Sequence, residues 1–158
     1  MKRVITGVYV VPLGNANAFL IEGDDRLTLI DAGFPGKGAV LFGAIRGLGR
    51  SPDELQHLIF THGHPDHMGS AAAIVRETGA RTYMHPLDIP IAENRGLFRP
   101  LTAASGLLRR MMCKVFFNPD ERVKPVSIDQ PLTEGEILPF AGGIEAVRHL
   151  NSRTSAFC

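Results

Sequence analysis

Between Thr61 and His67 the chain reads Thr-His-Gly-His-Pro-Asp-His, placing three imidazoles and one carboxylate within six positions. These are the nitrogen and oxygen donors that hold zinc, iron or manganese. The pattern His-x-His-x-Asp-His is too specific to be expected from composition alone. The bland alternative is a loop whose histidines are merely solvated. The spacing favours metal, because residues two apart in extended chain project to the same side. His62 and His64 can then grip one ion, while Asp66 and His67, at the turn into a helix, can face a second. Ahead of the cluster, Leu58-Ile59-Phe60-Thr61 is the continuous apolar run of a strand buried on both faces. Beyond it, Asp66 to Glu77 returns to helical spacing with Met68, Ala71, Ala72 and Val75 on one side, and Thr78-Gly79 closes it before a strand from Arg81 to His85. Strand, helix, strand requires a parallel crossover, so the fold is α/β and the cluster sits just past a strand's end.

The N-terminal third reads differently. Val4 to Leu13, Asn17 to Glu22 and Arg26 to Asp31 are strand-like runs separated by Gly14-Asn15 and Gly23-Asp24-Asp25, an antiparallel meander. Pro35-Gly36 opens an amphipathic helix on Val40, Leu41, Ala44, Ile45 and Leu48, with Gly49 placed to end it. Residues 86 to 120 form a less regular insert, helical from Leu101 to Met112 and rich in Phe98, Met111, Met112, Phe116 and Phe117, which reads as a cap. Glu136 to Phe140 and Gly143 to His149 read as two strands joined at Ala141-Gly142.

Seventeen basic and sixteen acidic residues leave a formal charge of +1 across 158 residues. That excludes the basic field by which proteins collect nucleic acid or anionic membrane non-specifically, and a small-molecule substrate fits better. Cys113 and Cys158 sit in no Cys-x-x-Cys pattern, so neither a disulfide framework nor a sulfur-based zinc site is indicated, and a cytoplasmic setting is the expectation. Export is the competing reading, since Lys2 and Arg3 precede an apolar stretch and Ala16-Asn17-Ala18 resembles a cleavage site. Thr6, Gly7, Tyr9 and Pro12 interrupt that stretch and speak against it. No run of 18 apolar residues occurs to span a membrane.

Other polar residues carry weaker signals. Asp31, ending a strand in Leu29-Ile30-Asp31-Ala32-Gly33, reads on local grounds as a turn former or as a group beside the metals. His57 reads as structural, and His85, ahead of Pro86, as structural or facing the site. Arg109, Arg110 and Lys114 among apolar residues from Leu107 to Phe117 suggest a packed helix with a solvated face, or else membrane-surface contact.

His62-x-His64-x-Asp66-His67 after a buried strand, preceded by Leu29-Ile30-Asp31-Ala32-Gly33, resembles the metallo-β-lactamase superfamily, particularly its glyoxalase II-like and lactonase-like hydrolases. The resemblance reaches to about His149. It implies an αββα sandwich of two mixed sheets with helices outside and one or two metals at one edge, zinc first and iron or manganese as alternatives. It further implies that His62 and His64 ligate a first metal, that Asp66 and His67 ligate a second with Asp66 also catalytic, and that Asp31 is a buried supporting residue. The family's third His for the first metal, its bridging Asp and its late His have no counterpart that can be placed. By position His149 matches a non-ligand.

Residues 1 to 149 are therefore expected to be an incomplete domain of this kind, and 150 to 158 an atypical tail. Codons for Asn151 to Ser155 can be chosen so that a frame one base later reads Thr-Pro-Gly-His, which suggests a frame slip after His149. The implied activity is hydrolysis of an ester, thioester, lactone or amide by a metal-bound hydroxide. The alternative is an inactive fragment with a partial metal site, or a partner-dependent metal binder. Half a sandwich leaves strand edges and a sheet face uncovered, so homo-oligomers or poor solubility are expected.

Overall fold

Seven strands hydrogen-bond in chain order into one mixed sheet: β1 (Lys2–Ile5), β2 (Val8–Pro12), β3 (Asn17–Glu22), β4 (Leu27–Ile30), β5 (Leu55–Ile59), β6 (Arg81–Met84) and β7 (Gln130–Pro131). The computed structural model describes residues 1–14, 16–23, 26–93 and 123–147. Strands β1 to β4 pair antiparallel, as the meander requires, and β4 to β7 pair parallel through crossovers. The run expected as one strand from Val4 to Leu13 is two, broken at Thr6-Gly7, where Gly7 takes a left-handed φ of 74°. Thr6 and Gly7, which interrupt the apolar stretch in the sequence, are where the turn forms.

Helices cover one face of this sheet. Leu41 and Ile45 of α1 (Gly38–Gly47), Met68 of α2 (Pro65–Met68), Ala71 and Ile74 of α3 (Ala71–Thr78) and Ala92 of α4 (Ile89–Glu93) meet Val11, Leu20, Leu27, Leu29, Leu55 and Leu58 in the main core. Gly49 ends α1 as expected, with a φ of 75° and its N–H donated to the Arg46 carbonyl. The helix expected from Asp66 to Glu77 is broken into α2 and α3 at Gly69-Ser70. There Gly69 lies so tightly against Pro35 and the Pro65 carbonyl that a Cβ could not fit.

The opposite face carries a smaller core of Ile59, Tyr83, Leu132 and Leu138, with Ile30, Phe140, Ile144 and Ala146 at its margin. A two-stranded antiparallel sheet, β8 (Ile137–Leu138) and β9 (Ile144–Glu145), supplies its outer layer. These strands are shorter than the expected runs, and the joint at Ala141-Gly142 is present, with positive φ at both residues. His57 proves structural. Its Nδ1 shares a 2.9 Å hydrogen bond with the Tyr83 hydroxyl and its ring stacks on Phe140 at 3.7 Å. The order helix, sheet, sheet matches the metallo-β-lactamase architecture. Of the insert, residues 86–93 are described and carry α4, whereas residues 94–120 with the Phe98 to Phe117 cap, the Leu107 to Phe117 helix and Cys113, together with His149 and the tail from 150 to 158, lie outside the described residues. Among the described residues, no helix is long and apolar enough to cross a membrane.

Candidate metal centre

Parallel strands deliver their C-terminal ends to one edge, where α/β sheets generally place their sites. Asp31 follows the last residue of β4 and Thr61 lies two residues beyond the end of β5. The Asp31 N–H donates to the Ile59 carbonyl, extending the β4–β5 ladder past the strands and fixing the two segments together. Asp31 itself is 4% exposed and adopts a left-handed φ of 62°, a conformation Asp tolerates better than most residues. Its Oδ1 accepts from the Thr61 N–H at 2.9 Å, and its Oδ2 accepts from the Thr61 hydroxyl at 2.7 Å. Oδ2 also lies 2.7 Å from His67 Nδ1. Asp31 is thus both the turn residue and the buried support, so the two readings of the sequence are not exclusive.

The loop from His62 to His64 then turns into α2. His64 occupies the N-cap position in extended conformation with Pro65 at the first helical position, and its carbonyl accepts from the His67 and Met68 N–H groups. One short helical turn brings Asp66 and His67 back beneath His62. The His62 and His67 rings lie 4.0 Å apart, and the His64 ring meets His62 edge-on at 4.5 Å. One donor atom each from His62, Asp66 and His67 lies within 4.8 Å of the others, close enough to converge on one cation. His64 adjoins that trio without joining it. His85 is not one of that trio, and its Nδ1 accepts from the Leu87 N–H at 3.2 Å.

Electrostatics bind the trio together. Burial alone would lower the His67 imidazole, but its hydrogen bonds to Asp31 and Asp66 outweigh that and lift its pKa to about 9. The same contact with His67 is the main cause holding Asp66 below the usual carboxylate range. His62 is pushed down by burial, then by repulsion from His67 and His64. Two mutually repelling imidazoles against two carboxylates form an arrangement that a cation in place of the His67 proton would satisfy, and the donor set fits a divalent metal.

Two supporting residues had no role in the sequence reading. Thr61 was only the motif's first letter, yet its hydroxyl touches Asp31 and also lies 3.0 Å from His62 Nδ1. Ser70 looked like a helix interior residue. Its hydroxyl instead donates to the Phe34 carbonyl and accepts from the Lys37 N–H, tying the loop after Asp31 to the metal-site helices. The Ala32 N–H donates to the His67 carbonyl across the same seam. The Ser after Gly69 was the available signal for this break.

Comparisons with known proteins agree with the geometry. The model of the metallo-beta-lactamase superfamily matches residues 11–157. A 69-residue stretch is 39% identical to the uncharacterized protein YobT of Bacillus subtilis (strain 168), covering 44% of this chain and 26% of that one. A UPF0173 metal-dependent hydrolase of Sinorhizobium medicae (strain WSM419) is 41% identical over 64 residues, or 40% of this chain and 26% of that one. Among solved structures, a beta-lactamase from Chitinophaga pinensis superposes with a TM-score of 0.75 at 22% identity, covering 94% of this chain and 51% of its own. The chain therefore spans about a quarter of these curated relatives' length and about half of that structure. Family model, sheet order and the His/Asp constellation coincide, and the chain belongs to the metallo-beta-lactamase superfamily.

Proposed function

We propose that the chain holds zinc or a similar divalent metal through His62, His64, Asp66 and His67, and that this centre serves hydrolysis of a small-molecule ester, thioester, lactone or amide. The observation that carries the reading is the convergence of His62, Asp66 and His67 donor atoms within 4.8 Å above a buried Asp31. A divalent metal supplies Lewis acidity and water activated for attack near neutral pH. The protein's own groups do the rest. Asp31 orients His67 through Nδ1 and so determines which nitrogen remains available as a ligand. Asp66, held ionised by its contact with His67, is suited to accept a proton from the attacking water and return it to the leaving group. Near-neutral net charge favours a small substrate over a polyanion, and cysteines without a pairing pattern suit a cytoplasmic setting.

The test is an assay of metal-stripped protein with added zinc on a chromogenic ester, a lactone and a chromogenic phosphodiester. Zinc-dependent turnover of the carbonyl substrates is expected, with His64→Ala reducing it by about 100-fold or more. Preference for the phosphodiester would overturn the substrate class. Absence of turnover at every zinc concentration would overturn the enzymatic reading.

A further inference from the structure

The Thr61 side chain stands where three polar groups meet. Its Oγ1 lies 2.7 Å from Asp31 Oδ2, 3.0 Å from His62 Nδ1 and 3.4 Å from His67 Nδ1. A hydroxyl has one proton to give and two lone pairs to receive with, whereas a carboxylate only receives. If Thr61 gave its proton to His62, its oxygen would face Asp31 Oδ2 lone pair to lone pair at 2.7 Å. The proton must go to Asp31, so the contact with His62 can be a hydrogen bond only if His62 Nδ1 donates. His67 reaches the same carboxylate oxygen directly at 2.7 Å and does not need Thr61.

We propose that Thr61 is a positioning residue that fixes the tautomer of His62, holding the proton on Nδ1 and leaving the Nε2 lone pair free for a cation. This deepens the metal-binding reading and rests on it for its functional meaning. The tautomer itself is a property of the metal-free protein. Asp31 thereby orients two imidazoles at once, His67 directly and His62 through the Thr61 hydroxyl. The Thr61 N–H donated to Asp31 Oδ1 holds the threonine in register for the task.

The experiment compares the parent chain with Thr61→Val, which keeps the branched shape and removes the hydroxyl, and with Thr61→Ser, which restores it. Long-range proton–nitrogen NMR of the metal-free proteins at pH 8 reads the His62 tautomer, assigned by loss of its signals in His62→Gln. Zinc affinity is read by competition with a chromophoric chelator. Parent and Thr61→Ser are expected to show His62 protonated on Nδ1 and to bind zinc within about threefold of each other. Thr61→Val is expected to lose the single tautomer and to weaken zinc by about 10- to 100-fold. An Nε2-protonated His62 in the parent overturns the proposal even if Thr61→Val does not fold. A folded Thr61→Val with tautomer and affinity unchanged overturns it as well. If the parent shows the expected tautomer but binds no zinc, the metal reading fails while the role of Thr61 in setting the ring stands.

Discussion

Asp31 shows why single residues at this site resist simple substitution. Its left-handed backbone demands a residue that tolerates positive φ, and its carboxylate must accept from Thr61 and His67 together. Asn tolerates the backbone but presents an amide N–H₂ where one acceptor stood. Asp31→Asn is therefore expected to keep the fold and weaken zinc binding by about 10- to 100-fold, measured by chelator competition; unchanged affinity would deny Asp31 its orienting role. The histidine motif was legible in the sequence because its residues are nearly consecutive, but the sequence did not show which of them converge, His62, Asp66 and His67, with His64 beside them. Thr61 and Ser70 were not, because their partners Asp31 and Phe34 lie about thirty residues away and meet them only once the sheet has formed. His57 offers a test away from the His/Asp cluster. Burial, then the charges of Arg81 and Arg26, hold its pKa below the ordinary 6.5. The folded chain thus binds fewer protons there than the unfolded one, so the His57 contribution to stability is full above pH 6.5 and is lost as pH drops from 6.5 through the folded-state value. Denaturant unfolding of the parent beside His57→Gln at several pH values should show the parent's advantage over the variant shrink as pH falls below 6.5.

At the scale of elements, the junction between α2 and α3 decides where His67 points. Gly69 sits against Pro35 with no space for a Cβ, which lets the Asp31–Pro35 loop and the metal-site helices close on each other. Gly69→Ala is expected to cost about 1–3 kcal/mol in urea unfolding. Gly43, inside α1 with open space around its Cβ position, provides the contrast. Gly43→Ala should stabilise by up to about 1 kcal/mol through helix propensity, and equal effects at both positions would contradict this account of the junction. Periodicity and apolar runs located α1, β3, β5 and β6, which bury a face, and β4, which is buried on both. They missed the break at Gly69-Ser70, where apolar spacing runs on although the backbone turns, and passed over the one at Thr6-Gly7, where a turn pair interrupts the run. They also missed the two-residue β7, too short to carry a pattern.

Across the whole molecule, the two sheet faces differ in cover. Among the described residues, helices cover one, while β8 and β9 reach the Ile30, Ile59 and Tyr83 region of the other. Ile5, Val8, Val10, Phe19 and Ile21 are cross-strand partners and project to that second face. Ile5 is 64% and Phe19 38% exposed among the described residues. An apolar face of this kind promotes association, so the chain is expected to self-associate with rising concentration in sedimentation velocity, and Phe19→Lys to reduce it. A concentration-independent monomer would contradict that expectation. The sandwich order itself came from the resemblance, since local patterns specify strands but not which sheet lies over which. The most direct test of the central claim is calorimetric titration of zinc into the metal-stripped chain beside His62→Ala and His67→Ala. Saturable binding in the parent, weakened by about 100-fold or more in each variant, is the predicted result, and zinc affinity that is absent in the parent or indifferent to both substitutions would contradict it.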